Sequence, residues 1–362
     1  MKLSTLGRCV DQPIILNKLE KKMPALLIGA GGAYGAVDTF RASRHKSSDK
    51  KKKIALKNTI IIGTTIAASL AGARGIKVKG RSFSLFNNRI DIKENTILPA
   101  LLPSSSLKEI VKKQTAAVND FLSSQKVDDK RILSILEKVK SKPLKPSEIE
   151  FLEQNLPSGE AKKSLFRAIL PEPENLNSKE IFSEIGRLSL LGAIPVVGGV
   201  VGGITADCVT KSSCNKSTSN KIKEGFYQYF ANIFLCNVGA CAALFSAECL
   251  QKAGKIKPLS PAKKMLVIMT GITATGIVGG SYIANKLSQK IIDPLFNHGK
   301  RTGHKSVYDE RKPELTDIAL HADDIATAGV LSGFKWIEPA LPLMYFVSGY
   351  RAGIGYRNNS KH

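Results

Sequence analysis

Apolar positions in this chain collect into long uncharged runs and are not spread evenly at amphipathic spacing. The central run is Leu188 to Ala206, LSLLGAIPVVGGVVGGITA, nineteen residues without a charge. Two more uncharged runs follow, Gly225 to Ala247 and Met265 to Asn285. As helices rising 1.5 Å per residue, each is long enough to cross a hydrocarbon core of about 30 Å. They are too long for strands, which run to about 3–10 residues. Two shorter runs come earlier, Pro24 to Val37 and Asn58 to Ala73. The segment between them, Arg41 to Lys57, holds eight Lys or Arg and one Asp, so the pair reads as a helical hairpin with a basic loop.

Residues 74–180 have a different pattern. Leu107, Ile110, Val111, Val118, Phe121 and Leu122 recur at helical spacing, as do Ile132, Ile135, Leu136 and Val139. Ser147 followed by Glu150 predicts a capping box. Beyond residue 290 the chain is less apolar, and Pro339 to Asn358 is too short and interrupted to predict a span. The expected architecture is an all-α membrane protein of glycine-rich transmembrane helices with a small amphipathic helical domain attached. Its parts are a head and apolar hairpin (1–73), the helical domain (74–180), a three-helix glycine-rich block (181–290) and a basic C-terminal region with interfacial or partly inserted helices (291–362).

Glycine spacing suggests how the central block packs. Gly198 and Gly202, and Gly199 and Gly203, are four apart, as are Gly276 and Gly280; Thr275 and Gly279 repeat the device. In lipid there is little hydrophobic drive between helices, so small residues that let backbones approach supply packing energy. The pattern resembles glycine-zipper membrane segments, a resemblance that names no activity. Three helices meeting at glycine seams are expected, with Val200 facing lipid and a kink at Pro195. The same seams offer a face to a second copy of the chain.

Charge then narrows the partners. The net charge of +24 favours anionic surfaces. Aromatics make up only 6% of the chain, too few to interleave with Lys and Arg for base stacking, so anionic lipid is expected and nucleic acid is not. Lys50, Lys51, Lys52 and Lys53 are the candidate lipid-surface cluster. Basic loops on both sides of the second long run leave the orientation without bias.

Candidate chemistry is sparse. Gly29, Gly31 and Gly35 after Ala25–Ile28 resemble a dinucleotide-binding loop, but Lys50 to Lys53 stand where an acidic ribose ligand would be, and no βαβ alternation follows. Asp317, His321 and Asp324 share one helical face, where the solvated surface of an interfacial helix is expected and not a metal site. Cys208 and Cys214 bracket a short loop that an oxidising compartment would close by a disulfide. No catalytic motif, cofactor site or metal site is expected. Intramembrane ionisable residues usually mark solute paths, and the three long runs contain none. The leading expectation is therefore a non-enzymatic integral membrane protein of structural or interaction type, in a bacterial-type cell membrane. A pore, channel or transporter is the alternative, and an NADP-binding enzyme using Gly29 to Gly35 is a second.

Overall fold

The structure, a computed structural model, describes residues 9–74, 76–78, 81–83, 107–170, 178–211, 214–292 and 340–356, together with 294, 326, 328, 329 and 337. The described residues are helical apart from one antiparallel pair, β1 (Ile76–Val78) and β2 (Arg81–Phe83), in which Lys77 lies opposite Ser82.

Helix α1 (Pro13–Ser43) extends well beyond the first apolar run, with a proline in its first turn, where a missing N–H costs nothing. Helix α2 (Ser48–Arg74) takes in Lys50 to Lys57, so most of the predicted basic loop is helical and only a short turn separates α1 from α2. Lysine is a good helix former, and Asp49 in the first turn of α2 complements its dipole. The two helices run antiparallel: Asn58 Nδ2 donates to Thr39 Oγ1 (2.9 Å), Gly35 lies against Ile62, and Gly31 against Ile66. This corrects the dinucleotide-loop reading. Ala25 to Ile28 are helical, and Gly31 and Gly35 sit mid-helix, where they admit neighbouring isoleucines and form no phosphate cradle.

A separate hydrophobic cluster is built from α3 (Leu107–Ser124), α4 (Lys130–Val139), α5 (Pro146–Asn155) and α6 (Glu160–Ile169). Helix α4 buries Ile132, Ile135, Leu136 and Val139, the four positions its spacing singles out, and Asp129 caps it by accepting from the Arg131 and Ile132 N–H groups. Helix α5 starts earlier than Ser147 and Glu150 imply. Pro146 opens it, and the Glu148 carboxylate accepts the Lys145 N–H at 2.7 Å. Partial burial pushes the Glu148 carboxyl upward, but the Lys138 ammonium at 2.6 Å outweighs this and holds it below its ordinary value. The cluster is pinned to the start of α1 by buried Gln12, whose carboxamide accepts the Leu144 N–H (2.6 Å) and donates to the Leu144 carbonyl (2.8 Å).

Three helices are long and apolar enough to cross a membrane: Ser48–Gly72, Leu188–Val209 and Thr218–Lys252. The first belongs to α2 and the second to α7 (Ser178–Val209). The third runs unbroken through α8 (Cys214–Tyr229), a π-helical segment π1 (Phe230–Phe234) and α9 (Leu235–Lys252). The run Met265 to Asn285 is less regular than expected, dividing into α10 (Pro261–Ile272), π2 (Thr273–Val278) and α11 (Gly280–Leu287), with a further π segment at Ser288–Ile292. The short C-terminal helix α12 (Leu341–Ile354) departs most from expectation. It sits inside the bundle, with Leu341, Tyr345, Phe346, Tyr350 and Ala352 all buried.

Candidate functional site

The glycines of α7 set how closely its neighbours approach. A methyl group on Gly198 would collide with Ala68, and one on Gly202 with Thr64, both on α2. One on Gly199 would collide with the Gly349 carbonyl, and one on Gly203 with the Gly353 carbonyl, both on α12. Through these four glycines the first long run therefore meets α2 and α12, while Gly192 meets Ile233 of the second long run. Gly349 and Gly353, which the sequence reading passed over, have the same four-residue spacing that drew attention to α7. The second and third runs meet each other: Gly276 faces Cys236, a Cβ on Gly280 would lie 3.2 Å from the Ala231 carbonyl oxygen, and Gly239 faces Gly271. Gly279 faces its own helix, with Thr275 O at 3.3 Å. Val200, expected to face lipid, packs against Gly225 and is half-buried; the exposed valines of α7 are Val197, Val201 and Val209, at 60%, 54% and 55%.

These contacts fix the directions of the helices. α7 runs antiparallel to α2 and α8, and parallel to α12. The termini at Ser43, Ser48, Val209, Cys214 and Ile354 consequently share one end of the bundle, called here the Lys57 end.

At that end the bundle holds an ionic junction. Asp207 is fully buried; its carboxylate contacts the Lys221 ammonium on one oxygen and lies 2.5 Å from Lys57 Nζ on the other. Lys221 is only 1% exposed, whereas the Lys57 side chain keeps 26% of its surface. Gly203 is what lets the Lys221 stem pass, since a Cβ there would meet Lys221 Cε at 2.7 Å. Lys221 also approaches Gly355, just beyond the C-terminus of α12, where the helix dipole favours a cation.

A buried polar face leads inward from the junction along α8 and π1. Gln228 Nε2 donates to Glu224 Oε1 (2.8 Å), and Asn232 Nδ2 donates to Gln228 Oε1 (2.9 Å). Farther along, Asn237 Nδ2 donates to Ser189 Oγ on α7 (3.1 Å). Glu224, Gln228, Asn232 and Asn237 are all buried. The first three are spaced by four residues and the last by five. The π segment supplies the extra residue that keeps Asn237 on the same face. From Lys221 to Asn237 this face spans about 24 Å at 1.5 Å per residue.

The sequence reading missed this arrangement because its runs end where charges begin. Lys57 immediately precedes the run from Asn58, Asp207 immediately follows Ala206, and Glu224 immediately precedes Gly225. Asp207 and Glu224 are taken into the bundle, and Lys57 reaches in to Asp207. Lys50 to Lys53 are exposed on the first turns of α2, where Arg41 and Arg44 at the end of α1 and the turn after it lie close in sequence. Asp317, His321 and Asp324 lie outside the described residues, and so in part does the Cys208–Cys214 pair. Among the described residues no three His, Cys, Asp or Glu side chains gather into a metal-binding group. Comparison with protein-family models, curated proteins and solved structures finds no match to this chain.

Proposed function

We propose that this chain is an integral membrane protein whose α1–α2 hairpin, α7, α8–π1–α9 and α10–α11 cross the bilayer, with α12 enclosed among them. The observation that carries this reading is the outer surface of the bundle. Leu26 and Ile28 on α1, Val197 and Val201 on α7, Phe245 on α9 and Leu266 on α10 are all exposed. Apolar side chains exposed on so many adjoining helices would form a patch larger than soluble monomers carry, and lipid is the solvent that suits them. The interior is held by glycine-mediated approach of α7 to α2 and α12, as the small-residue packing of membrane helices requires.

Within that reading the role is structural or interaction-based. The exposed Lys50 to Lys53 cluster holds the Lys57 end against anionic lipid, each lysine contributing on the order of 1 kcal/mol near such a surface. The α7 glycines are occupied inside the chain, so a second copy would pack elsewhere. A transport role is the second reading, favoured by the ionic junction and its polar face. The absence of ionisable residues from the three runs had argued against transport, and that argument lapses once Asp207, Lys221 and Glu224 are buried and Lys57 reaches in to Asp207.

Alkaline carbonate extraction tests the membrane reading. The chain is expected to stay in the pellet with bilayer fragments; recovery of most of it in the supernatant, without aggregation, contradicts the proposal.

A further inference from the structure

The transport reading has a specific form in this bundle. We infer that the buried polar face of α8, π1 and α9 is a track for a small monovalent cation. The cation enters at the Lys57 end by taking the place of the Lys57 ammonium on Asp207.

The entry follows from the junction itself. Two ammonium groups converge on one fully buried carboxylate, and they are not equivalent. Lys221 is enclosed by Gly203 and the end of α12, whereas the Lys57 side chain remains a quarter exposed and is therefore the exchangeable partner. A monovalent cation offers Asp207 the same charge as that ammonium, so the exchange leaves the charge of the buried group unchanged. Glu224 stands one turn farther in than Lys221 on α8, giving the track a second carboxylate.

The rest of the face continues the polar lining inward. Side chains that glue membrane helices together bond across helices. Asn237 does so with Ser189, whereas Gln228 donates to Glu224 and Asn232 to Gln228 along one helix, a ladder of polar groups parallel to the helix axis. Alanine or glycine would pack there at lower cost, as Gly225 does on the same helix.

Ser348 supplies an independent observation. It is fully buried on α12, and its Oγ has no hydrogen-bond partner among the described residues. Ala352, one turn later on the same face, meets the position of a Gly225 Cβ at 3.7 Å. Because α12 and α8 are antiparallel, Ser348 faces α8 one turn beyond Gly225, at the level of Gln228. An oxygen with spare lone pairs therefore stands opposite the middle of the track, where a hard cation takes oxygen ligands.

The test uses the full chain in liposomes, with radiolabelled rubidium as the probe cation and flotation of the chain with the vesicles checked first. The parent is expected to take up rubidium at least tenfold faster than protein-free vesicles. Glu224→Gln, which keeps the side-chain volume and an acceptor for Gln228, is expected to lower that rate at least tenfold. Lys57→Met is expected to raise it, because the competing ammonium is gone. Uptake at the protein-free rate by a chain that floats overturns the track, as does an unchanged rate in Glu224→Gln. A Lys57→Met rate at or below the parent's overturns the displacement of Lys57. A chain that does not float overturns the membrane reading itself, and the track with it.

Discussion

At the scale of single residues, what decides this structure is where a side chain is absent. Gly199 and Gly203 on α7 and Gly349 and Gly353 on α12 bring two backbones together with nothing between them. Replacing Gly199 by leucine inserts a side chain where the Gly349 carbonyl already lies. The expected cost is about 3 kcal/mol or more, at or above the top of the usual range for overpacking. Val201→Leu adds one methylene at an exposed position and is expected to change stability by less than about 0.5 kcal/mol. Protease resistance of the two variants in membranes measures the difference, and equal resistance counts against the seam. Spacing made the α7 glycines legible in the sequence but not their partners. Nothing in a four-residue interval says which helix will lie opposite, and Val200 looked lipid-facing until Gly225 was found beneath it. The buried charges were hidden for a different reason: Lys57, Asp207 and Glu224 each mark the edge of an apolar run, and an edge read along one helix becomes an interior once neighbours extend past it.

At the scale of elements, the π segment between α8 and α9 has a definite task. Residues 224, 228 and 232 keep an α-helical face, and the extra residue in Phe230–Phe234 shifts Asn237 onto it, opposite Ser189. Deleting Ala231 removes the extra residue and leaves a regular α-helix with Asn237 still on the face, whereas inserting a second alanine after Ala231 rotates everything beyond it by about 100°. The polar face and the Asn237–Ser189 hydrogen bond then cannot both be buried. The insertion is expected to destabilise the chain by more than the deletion does, and thermal unfolding in detergent compares them. Equal melting temperatures would mean that the π turn carries no register. Sequence periodicity cannot reveal such a turn, because an uninterrupted apolar run looks the same with or without it. The length of the run found this helix, while its internal geometry came from the neighbours. The C-terminal helix is the converse case. Its 14 residues fall short of a span, yet enclosure by α2, α7 and α8 relieves it of the need to be one.

At the scale of the whole molecule, two kinds of surface coexist. The cluster of α3 to α6 buries apolar residues on one side of each amphipathic helix, and this periodicity was plain in the sequence. The bundle buries leucine, isoleucine and aromatic side chains together with glycines and polar groups in its middle, and it also carries valine, leucine and phenylalanine on its outside. A hydrocarbon surround suits that apolar outer face, as proposed above. Quenching by phospholipids brominated on their acyl chains tests it most directly, using single tryptophans in a background where Trp336, the chain's one tryptophan, is phenylalanine. Tryptophan at Val201 and at Phe245, both exposed on the bundle, should be strongly quenched. Tryptophan at Leu133, exposed on the helical cluster, should keep its emission. Loss of emission at Leu133 equal to that at the other two, or none at Val201 and Phe245, would contradict a bundle embedded in lipid.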